Sequence, residues 1–396
     1  MIGLSPKPAH ELLLPDSDVS AGFGAYVHIP FCQVRCGYCD FNTYTNTDFG
    51  TGASVGDYHE SVLREIAQSA HYLTGHENGT GLTSIFFGGG TPTMLNATQL
   101  VVVLDALRRQ FGVVDGAEVT TEANPETVDR QALQTLKDGG FTRVSFGMQS
   151  AVPHVLATLE RQHTPGQVSK VTQWAREVGL EFSVDLIYGA PGESRDDWQR
   201  SLDVAVALDP GHISAYGLTI EPGTAMGRQV RRGELSDTDP DEQAAKYEMA
   251  EAALSAAGYS WYEVSNWAKP GKYSRHNLAY WRNTNWWGYG PGAHSHINGT
   301  RFWNVKHPGA YAQHLLDDTL PVADVEHLSA AERREEDIML GVRLADGIVI
   351  PDGTQPSVVA GLIADELIDP APALGGRIVL TLRGRLLADT VIRALW

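Results

Sequence analysis

Cysteine is scarce in this sequence: three residues among 396, all between positions 32 and 39. Thiols confined to so short a segment exclude a disulfide framework across the chain, which makes a reducing compartment the default. Long apolar runs are missing as well. No stretch approaches the roughly 20 apolar residues of a membrane-spanning helix. The run Leu12-Leu13-Leu14 stops at Pro15, and Lys7 is the one Lys or Arg before Ser20, which is too little for a signal peptide. Basic charge is in short supply too: 30 Lys and Arg against 48 Asp and Glu leave a formal charge of −18. That balance disfavours general binding of nucleic acid or of anionic lipid. No internal repeat or low-complexity tract stands out. With 42% hydrophobic and 20% charged residues, the expectation is a soluble cytoplasmic protein of two or three domains, at roughly 100–200 residues each.

What is present is an alternation of strand-length apolar runs with helix-period segments from about residue 25 to residue 220. Ala25–Ile29 reads as a strand closed by Pro30, followed by a helix from about Tyr58 to Leu73. Ser84–Phe87 is a second strand stopped by three glycines, and its helix starts at Asn96 with Gln99 as capping-box partner. Further strands are expected at Glu118–Ala123, Arg143–Met148, Glu181–Ile187 and His212–Leu218. This beat implies an α/β protein with a parallel sheet, whose active residues stand at the carboxyl ends of strands. Whether the sheet is open or curled is not decided by periodicity. The beat stops after Glu221-Pro222-Gly223. A charged helix over about Pro240–Ala257 and a Trp-, Tyr-, Asn- and Gly-dense stretch from Tyr259 to Trp303 follow. The tail reads as helices at Leu328–Leu340 and Ser357–Glu366 and a hairpin around Gly384, a small winged-helix-type domain. Its 11 acidic against 7 basic residues from 326 to 396 argue against a DNA-reading wing. The expected division is an N-terminal extension (1–24), a core (25–225), an aromatic-rich extension (226–325) and the C-terminal domain (326–396).

Cys32, Cys36 and Cys39 form C-x3-C-x2-C in the loop after the first strand. An iron–sulfur cluster usually takes four cysteines, so three leave one iron open to a substrate or cofactor. The alternative is a zinc site of three cysteines with His28 as fourth ligand. The spacing after a strand favours the cluster.

This loop, with His28-Ile29-Pro30-Phe31 before it and Asp40-Phe41 after it, resembles the radical S-adenosylmethionine (SAM) superfamily. The flanking positions narrow the resemblance to the oxygen-independent coproporphyrinogen III oxidase family, over nearly the whole chain. The resemblance implies a partial (β/α)6 TIM-like barrel. It also implies a [4Fe–4S] cluster on Cys32, Cys36 and Cys39, chelation of the open iron by SAM, and reductive cleavage to a 5′-deoxyadenosyl radical. Gly88-Gly89-Gly90-Thr91 resembles the segment that meets the SAM amino end, so Gly89, Gly90 and Thr91 are candidate contacts. Glu122, Gln149, Arg161 and Asp185 resemble further SAM contacts, with Tyr26, Tyr38 and Thr219 beside them. Asp185 also stands out unaided, since it interrupts an apolar strand where a buried acid requires a partner or ligand.

Two features separate porphyrin enzyme from carrier. Coproporphyrinogen oxidases carry a fourth cysteine where this chain has Phe41, and an N-terminal extension longer than the 25 or so residues found here. Both departures resemble the heme-chaperone branch of the family. That branch has a motif H-N-x-x-Y, matched by His276-Asn277-Leu278-Ala279-Tyr280, which makes His276 the candidate heme ligand. A packed, hydrogen-bonded histidine is the alternative, and His294 and His296 in Gly288–His296 are alternative ligands. The resemblance implies heme transfer to acceptor hemoproteins, respiratory-chain proteins among them, with transient membrane contact. It leaves a homodimer open. Oxidase activity is the competing expectation.

Overall fold

The computed structural model of the chain describes residues 14, 18–75, 81–161 and 165–396. Most of the expected N-terminal extension and the pair Gln162-His163 lie outside the described residues. The strand–helix alternation is present in full: β1 (Phe23–Ile29), α1 (Tyr58–Ser69), β2 (Leu82–Gly89), α2 (Ala97–Phe111), β3 (Val113–Ala123), α3 (Arg130–Asp138), β4 (Arg143–Gln149), α4 (Pro153–Thr158), α5 (Pro165–Val178), β5 (Glu181–Tyr188), α6 (Arg195–Ala207) and β6 (His212–Gly217). Local chemistry sets the boundaries. Six of the seven β1 residues are buried, as a strand covered on both faces requires, and Pro30 ends it. In α2 the Asn96 side chain accepts from the Gln99 amide while Gln99 returns a bond to the Asn96 amide, the expected capping box. Leu100, Val103, Leu104 and Leu107 form its buried stripe.

Beyond β6 come α7 (Ala225–Arg231), α8 (Pro240–Ala256), β7 (Ser260–Glu263), β8 (Asn266–Ala268), α9 (Arg275–Trp281), β9 (Trp286–Tyr289), β10 (His294–Ile297), β11 (Thr300–Asn304), α10 (Pro308–Leu316) and β12 (Val322–His327). The aromatic-rich stretch is therefore largely short strands. The tail holds α11 (Ala330–Gly341), β13 (Ile348–Val349), α12 (Pro356–Ala364), α13 (Pro370–Leu374), β14 (Arg377–Ile378), α14 (Leu382–Leu386) and α15 (Ala388–Leu395).

The chain forms two compact units. The first comprises Met1–Arg35, Phe41–Arg143 and Thr284–Ser329; the second comprises Cys36–Asp40, Val144–Asn283 and Ala330–Trp396. In the first unit the strands run in the order β12-β11-β10-β9-β1-β2-β3. β1 pairs in parallel with both β2 and β9, and β9 to β12 are joined antiparallel. Helices α1 and α10 cover the face that carries Trp287, Tyr289 and Phe302. There Ser69 of α1 meets the Tyr289 hydroxyl at 3.2 Å, and the Trp287 and Phe302 rings pack edge-on at 4.8 Å. In the second unit the order is β4-β5-β6-β8-β7, with β5 and β6 parallel and β6, β8 and β7 antiparallel.

The C-terminal helices share a core of Ile338, Val342, Leu362, Ile368, Val391 and Ile392. Full burial of such side chains contributes about 1.5–3 kcal/mol each. The hairpin expected around Gly384 is not formed. Thr381 caps α14 by accepting from the Gly384 amide at 2.9 Å, so the glycine lies inside a helix. The two-stranded ribbon is instead β13 with β14, pairing Ile348 with Ile378. Among the described residues no helix is long and apolar enough to cross a membrane.

Candidate cluster and SAM site

The strand ends of the first unit converge on the segment Gly88–Thr91. The Gly90 amide donates to the Ile29 carbonyl and the Thr91 amide to the Phe31 carbonyl, both at 2.8 Å, which holds the end of β2 against the start of the cysteine loop. A Cβ on Gly89, at φ +110°, would lie 2.4 Å from the His28 ring; one on Gly90 would lie 2.9 Å from the Cys32 sulfur and 2.6 Å from the Phe31 carbonyl oxygen. Only glycine permits that approach. Thr91 Oγ1 stands 3.9 Å from Cys32 Sγ, and the Gly89 amide donates to Glu122 Oε2 at 3.2 Å. His28 Nε2 lies 3.0 Å from the Asn42 carbonyl, which can only accept, so Nε2 carries the proton. Its Nδ1 then accepts from the Tyr26 hydroxyl at 3.0 Å. Burial pulls the His28 pKa down to about 4, keeping the ring neutral. Tyr26, Gly89, Gly90, Thr91, Glu122 and Cys32 thus form one connected neighbourhood. His28 serves it as a structural strut.

In the second unit, Arg161 is the hub. Its Nη1 donates to Cys36 Sγ at 3.5 Å and its Nη2 to the Gly147 carbonyl at 3.3 Å. A Cβ on Gly147 would meet Arg161 Nη2 at 2.7 Å and Gln149 Nε2 at 2.8 Å, so both side chains converge there. Gln149 closes β4 at φ +61°, a conformation uncommon outside glycine and a mark of a constrained site. Asp185 accepts from Ser145 Oγ at 2.9 Å and stands opposite Ser214 on β6. Burial raises its pKa, opposed by bonds from Ser214 and Ser145 and by the charge of Arg161. Tyr38 packs against the apolar cluster that includes Val155, Ile187 and Met226, and burial raises its phenol pKa. The Cys39 amide closes a turn onto the Cys36 carbonyl at 3.1 Å. Thr219 lies exposed, two residues beyond the end of β6. The three thiols are free of disulfides, and among the described residues no three His, Cys, Asp or Glu side chains are already arranged about one metal position.

His276 belongs to another neighbourhood. It is 2% exposed on α9, its Nε2 lies 3.0 Å from the Tyr280 hydroxyl, and burial pulls its pKa down to about 3. Next to it, Glu263 is 1% exposed and accepts from Asn266 and the Ser265 amide. Burial raises the Glu263 pKa to about 7, against donors that include Trp281 and Asn277 of α9.

Sequence reasoning passed over four buried ionisable residues, two of them a pair. Glu65 accepts from Tyr311 at 2.6 Å, the Gly290 amide at 2.8 Å and Asn304 at 2.7 Å, and burial raises its pKa to about 7. Glu263 and the buried pair Lys246–Glu193, at 2.8 Å, are the others. A signal existed for two of them. Glu65 lies on the apolar stripe of Val62 and Ile66, and Lys246 on that of Ala250 and Leu254. A cavity of ≈ 460 Å³ near the starts of α2 and α3, lined by Thr93, Asn96, Glu126 and Asp129 among others, includes none of the expected site residues.

The parallel strands and the cysteine loop are those of a radical SAM protein, and the Radical SAM superfamily model matches residues 26–205. The fold is that of coproporphyrinogen III oxidase (HemN) from Escherichia coli, with a TM-score of 0.80 at 22% identity over 95% of this chain and 90% of that one. Heme chaperone HemW of Mycobacterium tuberculosis is 46% identical over 99% of this chain and 97% of its own length. HemW of Bacillus subtilis is 35% identical over 93% and 98%. The chain belongs to the heme chaperone HemW family.

Proposed function

We propose that this chain is a heme chaperone: it binds heme, a [4Fe–4S] cluster and SAM, and passes the heme to acceptor hemoproteins. The observation that carries this reading is the relationship to HemW, 46% identity sustained over 99% of the chain. Cys32, Cys36 and Cys39 are the thiolates for the cluster, which when bound supplies a one-electron reductant with an open coordination position. The donor set fits: Thr91 lies beside the Cys32 sulfur and the Arg161 guanidinium beside that of Cys36. Tyr26, Gly89, Gly90, Thr91 and Glu122 in the first unit serve SAM. So do Tyr38, Gln149, Arg161, Asp185 and Thr219 in the second. Backbone amides and Glu122 suit an ammonium and a ribose, and Arg161 suits a carboxylate. The α9 segment takes part in heme binding, and His276 reaches iron only after Tyr280 releases Nε2.

The working compartment is the cytoplasm. The acceptors include respiratory-chain proteins met at the membrane surface, and the four-part division of the chain and a homodimer belong to the same reading. Phe41, 61% exposed, stands where coproporphyrinogen oxidases have a further cysteine, which speaks against oxidase activity. The test is heme titration of the purified chain followed by mixing with an apo-hemoprotein. Heme should bind and then move to the acceptor. Conversion of coproporphyrinogen III in the presence of SAM and a reductant would overturn the chaperone reading in favour of the enzyme.

A further inference from the structure

The antiparallel edge of the first unit carries a second histidine whose setting differs from that of His276. Period-two alternation puts Trp287, Tyr289, Phe302 and Asn304 on the face covered by α1 and α10, where Glu65 bonds Asn304. The opposite face therefore carries Trp286 of β9, His294 and the buried His296 of β10, and Arg301 and Trp303 of β11. His294 and Trp303 are direct cross-strand partners, with rings stacked at 5.6 Å and 26°. Trp286 pins the same strand by donating its indole N–H to the His294 carbonyl at 3.1 Å, and its ring packs at 5.1 Å on His296.

His294 is exposed. Partial burial lowers its pKa, a ring bond to the Gly292 backbone acts against this, and the charges of Lys306 and Arg301 lower it further. The ring is thus neutral at pH 7, with one nitrogen oriented by the backbone. A second-sphere bond of that kind leaves the other nitrogen's lone pair for a metal. The two cations are within electrostatic reach of the ring; Arg301 shares its guanidinium with Glu326 at 2.7 Å in an exposed pair worth little. A neutral imidazole, an apolar indole edge and two cations match the parts of a metalloporphyrin dicarboxylate: iron, macrocycle and propionates.

We infer that His294 is a ligand for heme iron on this sheet face, with Trp303, stacked on the imidazole, holding the ring and meeting the macrocycle by its edge, and Arg301 and Lys306 meeting the propionates. The inference rests on heme as the cargo and adds a ligand that the α9 motif does not supply. The test is hemin titration of the full chain, followed through the Soret band, for wild type, His294→Ala, His276→Ala and Arg301→Ala/Lys306→Ala. The surface position of His294 leaves the fold intact in the alanine variant. His294→Ala should lose the wild-type Soret position and weaken affinity by at least about 10–100-fold, the scale on which removing even an outer-shell partner weakens a metal site. Added imidazole should restore the band. The double variant should weaken hemin but not its dimethyl ester. An unchanged titration for His294→Ala, or equal losses for hemin and ester in the double variant, would overturn the site. A wild-type chain that does not respond to hemin would instead sink the cargo reading itself.

Discussion

Glu65 in the first unit and Glu263 in the second are both almost removed from solvent, 0% and 1% exposed. Burial pushes both to a pKa of about 7. Each holds a histidine-bearing segment. Glu65 fixes Gly290 and Asn304, on either side of β10 and its His294; Glu263 fixes Asn277 and Trp281, next to His276 on α9. The outcome for the imidazole differs. On the helix, the i and i+4 positions face one another, so Tyr280 occupies the His276 nitrogen and both are packed inward. On the strand pair, the cross-strand partner is a flat indole stacked on the ring, while the Gly292 backbone engages one ring nitrogen. The same anchoring device therefore yields a covered imidazole in one region and a displayed one in the other.

The hardest test of this comparison removes the cluster and leaves both segments alone. Cys36→Ala should abolish cluster iron after anaerobic reconstitution, about four irons in the intact protein. Heme titration of the same preparation should be unchanged. Loss of heme binding together with the iron would mean that neither histidine region acts on its own.

Next in size is Glu65→Gln. It places an amide N–H against donors that now meet a carboxylate, at a cost of about 1–3 kcal/mol in urea unfolding. The pH dependence has a definite sign. The folded pKa of Glu65 is raised to about 7, so its contribution is fully present below the ordinary carboxylate range and is lost as pH rises through 7. The cost of the substitution should be larger at pH 5 than at pH 8, and the reverse order would remove Glu65 as the titrating anchor. Taking the difference from wild type cancels the opposite trend from His28, whose folded pKa is lowered to about 4.

Glu263→Gln should show the same sign, with a loss confined to the α9 region. Its near-ultraviolet circular dichroism should change while the His294-dependent Soret band does not. The smallest expected effect is that of Tyr280→Phe. Releasing His276 Nε2 removes one hydrogen bond, worth about 1 kcal/mol net, and should raise heme affinity at α9 by roughly fivefold. Affinity unchanged, or lowered, would mean that the tyrosine does not mask the imidazole.

The elements with local causes were legible in the sequence: β1 ending at Pro30, β2 stopped by glycines, and α2 opened by the Asn96–Gln99 box. Asp185 was legible because a carboxylate in an apolar strand needs partners, and Ser145 and Ser214 are there. What depends on distant pairing was not. The Glu65 bond to the Gly290 amide joins positions 225 residues apart. The ribbon of β13 and β14 formed where a local hairpin was expected, because the Thr381 cap outweighed the turn signal of Gly384. The short strands β9 to β12 were hidden in aromatic density, since their alternation shows only once the covered face is known.

The segment Gly88–Thr91 has a consequence for how the family can vary. A wall built from main chain, pressed on the His28 ring and the Cys32 sulfur, offers no side chain for substitution to reshape. Contacts made there are fixed by the covalent backbone itself and tolerate almost no sequence drift. Diversity in cargo or partner must then be written elsewhere, on faces such as that of β9 to β11, where side chains rather than main chain make the surface.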